Sequence, residues 1–265
     1  MIEITQHGDV TRLRMSTWRS RAVGYDVSAY VVRGMLIDTG MRHVRVELDR
    51  ALEHLRPRGV IVTHYHEDHA GNAPTLAERL PTLMPSYTER KLRERPQVKF
   101  YRHFTWGRPR RLTAALTRFD PQPLQVIPTP GHSPDHQIVF DPLTSTLFSA
   151  DLFLGVKARI MGATENPYEI IDSLASAIEL RPHRMFDAHR GWVENPLTAL
   201  QAKRDWLLEV VDEIERRSAA GISEDEILRD VLDGEERTAL VSQGEYSRRN
   251  LVRAVRRLMP PRSRS

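Results

Sequence analysis

Residues 63–69 read THYHEDH, which puts three of the chain's 11 histidines and two carboxylates within seven positions. Buried imidazoles need hydrogen-bond partners, and buried carboxylates need compensating charge. A metal ion meets both needs at once. His64 and His66 are two apart, so on extended backbone they project to the same side, while Asp68 and His69 begin the next turn. One short segment can therefore supply ligands at two neighbouring positions. Ligand-type residues recur downstream: His132 in GHSPDH, Asp151 in SADLF and His189 in DAHRG. Each follows a short apolar run, at the kind of strand-to-loop junction where a rigid scaffold presents reactive groups.

The elements that must position these residues follow from periodicity. Residues 2–37 alternate as strands through ITQHGDVTRLRM and YDVSAYVV, with MLIDTG after Gly34. Val44, Leu48, Leu52 and Leu55 give residues 43–55 helical spacing, and the strand GVIVT (59–63) leads directly into the histidine cluster. A short helix is expected at 74–80, a short strand at PTLM, then strands at LQVIP, HQIVFD and TLFSA, a helix over 168–180 and a strand at 184–188. Strand–helix alternation stops near residue 195. Beyond it the pattern is helical, with Leu200, Leu207, Val211 and Ile214 on one face, a capping box of Ser223 and Glu226, and a basic last helix over about 246–259 carrying Leu251, Val255 and Leu258. The expected organisation is a catalytic domain over 1–198 and a helical, winged-helix-like region over 199–265. Segment 86–123 fits no single period and mixes arginine with Phe100, Tyr101, Phe104 and Trp106; it reads as a substrate lid or as a homodimer contact.

Composition narrows the chemistry. With 265 residues, 40% hydrophobic and 28% charged, the chain can bury a core without staples. It has no cysteine, which excludes disulfides, thiolate zinc sites and a thiol nucleophile. No G-x-S-x-G elbow is present either. The N-terminal residues lack the basic start and apolar run of a signal peptide, and no stretch reaches the ~20 apolar residues of a membrane span, so a cytoplasmic protein without a membrane partner is expected. The net charge of +4 gives weak support to a nucleic-acid partner and suits an anionic small-molecule substrate equally well.

Taken in order, Asp38 in LIDTG, the cluster His64, His66, Asp68 and His69, then His132, Asp151 and His189 resemble the five motifs of the metallo-β-lactamase superfamily over residues 1 to about 195. The resemblance implies an α/β fold, a four-layer αββα sandwich with the metal site at one edge of its two sheets. It implies two metal ions, zinc in the first instance with iron or manganese as alternatives. His64, His66 and His132 would hold the first ion, Asp68, His69 and His189 the second, and Asp151 would bridge them. Asp38 would stand behind the ligands and orient a histidine. The implied reaction is hydrolysis by a water that two cations ~3.5–4 Å apart activate, with Asp68 aligning the nucleophile and no covalent intermediate.

TPGHSPDH, and SADLF followed by a loop and a helix, resemble the glyoxalase II branch, so a thioester or ester of a small anionic substrate is the first expectation, with a glutathione or coenzyme A conjugate as the thiol part. Lys157, Arg159 and Tyr168 are the candidates to grip it. The helical C-terminal region also resembles the β-lactamase-like-2 group, which makes a metal-dependent ribonuclease the alternative. A mononuclear-iron persulfide dioxygenase would keep the same ligand set. A lactonase would want a tyrosine three residues after the bridging aspartate, where Leu154 stands, and the absent export signal disfavours a true β-lactamase. Of the remaining histidines, His136 reads as packing, His7, His43, His54 and His183 as ordinary surface or packing residues, and His103 as undecided.

Overall fold

A computed structural model of the chain describes residues 1–94, 98–117, 119–157 and 160–259. They form two compact bodies: Met1–Pro128 with Pro134–Leu154 and Pro182–Pro196, and Thr129–Ser133 with Gly155–Arg181 and Leu197–Ser265. The second body thus takes up 129–133 and 155–181 besides the C-terminal helices, a division that sequence position alone does not reveal.

The first body holds both sheets. Strands β1 (Ile2–His7), β2 (Val10–Met15), β3 (Val27–Val32), β4 (Met35–Ile37), β5 (Gly59–Ile61) and β6 (Thr82–Leu83) lie side by side in chain order, antiparallel up to β4 and parallel from β4 to β6. The other sheet is built from β7 (Gln125–Pro128), β8 (Gln137–Asp141), β9 (Thr146–Ala150), β11 (Arg184–Asp187) and β12 (Trp192–Val193), with β9 and β11 parallel. Strand β10 (Met161–Gly162) pairs instead with β13 (Tyr246–Ser247) in the second body.

Alternation of side chains decides how the first sheet is covered. Leu13 and Met15, Val27 and Ala29, Leu36, Val60 and Val62 face one core, which takes in Leu48 and Leu52 of helix α2 (Arg45–Leu55); α1 (Trp18–Ala22) lies between β2 and β3 in the chain. The opposite parity, Val10, Tyr30, Val32, Met35, Ile37 and Ile61, packs on Val139, Phe148 and Phe186 of the other sheet. A sheet buried on both faces needs near-continuous apolar strands, which is why GVIV and MLI carry no polar positions. The mixed α/β architecture with two facing sheets and C-terminal helices agrees with the expected sandwich.

Two helical stretches escaped periodicity. Helix α1 spans five residues within a region that alternates like a strand, and Thr17 and Ser20 start it with a reciprocal capping box. After α3 (Ala73–Leu76), the aperiodic insert contains α4 (Ser86–Arg93) and α5 (Phe100–Trp106). Leu92, Trp106 and Leu112 bury their side chains in the first core, so the insert is packed scaffold along part of its length.

The second body contains α6 (Pro167–Glu179), α7 (Pro196–Ala219), α8 (Glu224–Leu232), α9 (Thr238–Val241) and α10 (Arg249–Leu258). Helix α10 packs on α8, α6 and the β10–β13 ribbon, and Asn250 Nδ2 donates to Met161 O at 3.0 Å. The capping box of Ser223 and Glu226 is present. No helix among the described residues is long and apolar enough to cross a membrane.

The turn after the histidine cluster is closely packed. A Cβ on Gly71 would come closer than 3.0 Å to Glu67 O, Gly40 O and Arg42 N, all backbone atoms that cannot swing away. Gly71→Ala is therefore expected to cost about 2–3 kcal/mol of stability, read as a lowered urea midpoint with unchanged slope; a midpoint like wild type would show that the turn can relax.

Candidate metal centre

Four elements of the first body end at one edge. Asp38 follows β4, His64 follows the β5 run, Asp151 follows β9 and His189 follows β11, so these residues leave the carboxyl ends of two parallel strand pairs. Gln137 ties the sheets together there: its backbone N–H donates to Thr63 O at 3.1 Å and its side chain to Val62 O at 2.9 Å. The 66–70 turn is closed by His69 and Ala70 N–H donating to His66 O, and Thr39 holds it by donating twice to His69 O.

Within the first body, ligand-type atoms of His64, His66 and Asp151 lie within 4.8 Å of one another, and so do those of Asp68, His69 and His189; His132 belongs to the second body. Six of the seven sequence candidates of the ligand set fall in these two groups. Asp151 approaches both: its Oδ1 is 3.2 Å from His69 Nε2 and 3.4 Å from His189 Nε2, while its Oδ2 is 4.0 Å from His64 Nε2. Asp68 Oδ2 stands 3.9 Å from both His69 Nε2 and His189 Nε2.

Tautomers follow from the partners behind the rings. Asp38 is buried, with φ +61°, a backbone conformation that aspartate tolerates better than most residues. Its carboxylate accepts from Thr63 N–H at 2.8 Å, from the Thr63 hydroxyl at 2.9 and 3.0 Å, and from His69 Nδ1 at 2.7 Å. A carboxylate only accepts, so His69 carries its proton on Nδ1 and turns Nε2 toward the cluster. The Thr63 hydroxyl spends its single proton on Asp38, so it accepts from His64 Nδ1 at 3.0 Å, which leaves His64 Nε2 as the outward lone pair. His189 Nδ1 donates to the carbonyl of Asp26 at 2.7 Å, with the same result. His132 Nδ1 lies 3.2 Å from Glu165 Oε1. His66 is the exception, since its Nδ1 is the atom 3.0 Å from His64 Nε2.

The residues fit a metal ion. His69 Nε2 is buried with no hydrogen-bond partner among the described residues, although a carboxylate oxygen lies 3.2 Å away. A buried polar atom left in this state is costly unless something beyond the side chains, such as a cation, takes the lone pair. The electrostatics agree. Burial favours neutral His69, but Asp151, Asp38 and Asp68 outweigh it and push its protonation well above the ordinary range. At His189 burial likewise opposes charge, and Asp151 and Asp68 raise the pKa to about 8. A field that draws protons onto two buried imidazoles draws cations for the same reason.

The remaining candidates have other surroundings. Lys157 is exposed, and Arg159 lies outside the described residues. The Tyr168 hydroxyl donates to Glu215 Oε1 at 2.6 Å, and burial together with that carboxylate raises its pKa. His136 accepts from Asp151 N–H at 3.1 Å, a structural part as expected, and His103 is exposed. Residues that carried no signal also shape the site. Asp187 is buried and accepts from the backbone N–H of His189, Arg190 and Gly191, which folds the turn bearing His189. Glu67 and Arg102 form a buried ion pair. Only the DAHRG position of Asp187, two residues ahead of a candidate ligand, was a visible clue.

Two measurements test this geometry. Asp38→Asn keeps the shape but removes the acceptor that fixes His69 and Thr63; it should weaken zinc binding about 10–100-fold, read by chelator competition, and unchanged affinity would dissociate Asp38 from the ligands. The raised pKa of His189 gives the metal-free fold stability that is fully present below 6.5 and lost as pH rises through about 8. Zinc needs the deprotonated ring, so the sign reverses on loading: affinity should rise with pH through about 8, with protons released at the lower pH in calorimetry. A pH-independent affinity would show that His189 takes no part.

The family model "Metallo-beta-lactamase superfamily" matches residues 22–189. The chain is 27% identical over 225 residues to the beta-lactamase-like protein 2 homolog of Drosophila melanogaster, covering 72% of this chain and 70% of that protein. It is 28% identical over 176 residues to the probable metallo-hydrolase YybB of Bacillus subtilis (strain 168), covering 58% of this chain and 74% of that protein. A crystal structure of a metallo-beta-lactamase family protein from Thermus thermophilus superposes with a TM-score of 0.67 at 15% identity, over 94% of this chain and 92% of that one, which establishes likeness of fold. With the family model spanning every residue of the two clusters from His64 to His189, the chain belongs to the metallo-β-lactamase superfamily.

Proposed function

We propose that this protein is a dinuclear metal hydrolase that cleaves a thioester or ester of a small anionic substrate. The observation that carries the reading is Asp151, whose two carboxylate oxygens face different histidine groups, Oδ1 toward His69 and His189 and Oδ2 toward His64. His64, His66 and His132 would hold one ion, Asp68, His69 and His189 the other. Two such ions supply an activated water at neutral pH and charge stabilisation for the developing oxyanion. The chain's own part is to fix geometry: Asp38, Thr63 and the Asp26 carbonyl hold three rings with their Nε2 lone pairs turned inward. Asp68 would align the attacking water. A thiolate leaves without a strong general acid, which suits a cluster whose two non-bridging roles are already taken by histidines and Asp68. Of the described candidates, Lys157, exposed on the loop after β9, is the one assigned to an anionic group, because the Tyr168 hydroxyl is already engaged by Glu215.

The ribonuclease alternative draws on the basic α10. Much of that charge is spent within the second body: Arg248 pairs with Glu236, Arg249 with Glu224 and Asp225, and Arg253 with Glu224. Less of it is left to track phosphates, which favours the small-molecule reading.

Elemental analysis of the purified protein should give close to two zinc or manganese per chain, and a panel of glutathione and coenzyme A thioesters should reveal turnover. One iron per chain with oxygen consumption would replace this reading with sulfur oxidation, and salt-sensitive RNA cleavage without thioester turnover would replace it with the nuclease. His66→Ala is expected to lower activity by about 100-fold or more with the fold retained, and Asp151→Ala to reduce bound metal per chain. Full activity in the first, or unaltered stoichiometry in the second, would reject the ligand assignment.

A further inference from the structure

The buried pair of Glu67 and Arg102 has no counterpart in the ligand set, yet it sits inside it. Glu67 lies between His66 and Asp68 in the chain, and its own side chain is turned onto the insert. Arg102, from α5, donates to Glu67 Oε2 through Nε at 2.8 Å and through a terminal nitrogen at 2.5 Å. Both residues are buried, Arg102 at 6% and Glu67 at 8% exposure, so the pair is shielded from water and salt. A guanidinium held by two of its nitrogens fixes direction as well as distance.

Further contacts join the insert to the segments that carry the clusters. From α4, the buried Thr88 hydroxyl donates to Asp135 Oδ2 at 2.5 Å, and Asp135 stands beside His136, whose ring receives the Asp151 N–H. Also from α4, Tyr87 meets the edge of Tyr65, and Tyr65 in turn lies 4.6 Å, centroid to centroid, from the His66 ring. The same helices are anchored from behind by Leu92 and Trp106 in the first core. Nothing about core packing calls for an ion pair at this position, since a buried pair seldom stabilises more than apolar residues of the same shape. Its distinctive property is that it ties the one carboxylate of HEDH outside the two ligand groups to α5, at a position between two residues that belong to them.

We infer that Arg102 is a positioning residue for the metal centre: through Glu67 it holds the His66–Asp68 segment in ligating geometry, which makes the α4–α5 insert a fixed wall of the site. The inference rests on the proposed reading that His66 and Asp68 bind metal. It requires the ligand loop to be held by a helix that lies well downstream in the chain.

The test uses the full-length protein, zinc affinity by chelator competition, and the visible absorption of the cobalt-loaded form. Arg102→Met should weaken zinc binding about 10–100-fold and change the cobalt spectrum, while circular dichroism still reports a folded chain. Arg102→Lys keeps the charge but not the fork and should fall between. The double variant Arg102→Met/Glu67→Gln removes the uncompensated buried charge. It should recover melting temperature toward wild type without recovering zinc affinity or the cobalt spectrum, which a purely structural pair would not do. Should Arg102→Met not fold, the double variant and Arg102→Lys carry the test. Wild-type affinity and spectrum in a folded Arg102→Met, or full recovery of both in the double variant, would overturn the inference alone. Wild-type protein that takes up neither zinc nor cobalt would overturn the functional reading on which it rests.

Discussion

A neutral imidazole has two nitrogens and one proton, and the site is organised by where that proton is spent. Thr63 and Asp38 take it from His64 and His69, and the Asp26 carbonyl takes it from His189. Each commitment on one side of a ring turns the other nitrogen to the cluster, a lone pair whenever the ring is neutral. None of these acceptors can be moved without moving a strand: Asp38 closes β4, Thr63 closes the β5 run, and Asp26 precedes β3. The sheet order therefore follows as a requirement of the tautomers as much as of the apolar pattern. Strands β4 and β5 must be neighbours in parallel for one carboxylate to reach both the backbone of Thr63 and the ring of His69.

The carboxylates complete the logic. Burying Asp68 and Asp151 among histidines concentrates negative charge where water is scarce. In the absence of a cation the histidines answer by holding protons, which is why His69 and His189 are pushed upward against the pull of burial. The arrangement is thus poised for exchange of protons against a divalent ion, a property of the whole cluster that no single residue supplies.

Much of this was legible in the sequence because the ligand-type residues cluster locally. His64, His66, Asp68 and His69 fall in six positions, and His132, Asp151 and His189 each mark the end of an apolar run. The β-strands were legible for the same reason, since GVIVT and TLFSA are too apolar to be anything but buried. What stayed hidden depends on partners far away in the chain or on backbone atoms. The carbonyl of Asp26 has no sequence signature. Glu67 meets Arg102 across 35 positions and Thr88 meets Asp135 across 47, and such pairs leave no periodicity. Helix α1 was hidden because its five residues are too short for an amphipathic pattern to compete with the alternation around them. Among the substrate candidates, Tyr168 looked free in sequence because Glu215, which holds it, lies on another helix.

The parallel pairing of β9 with β11 has a consequence for how the protein is made. Residues of the two clusters run from His64 to His189, and the last of them enters only when β11 docks beside β9. A ribosome must therefore release most of this sequence before the cluster can close, and earlier segments carry their buried histidines and carboxylates through synthesis without their partners. Contacts of such long sequence separation form late and slowly. On the proposed reading, acquisition of metal is an event that waits on the last candidate ligand, and the cell's supply of free ion would matter after translation has passed residue 189 rather than during it.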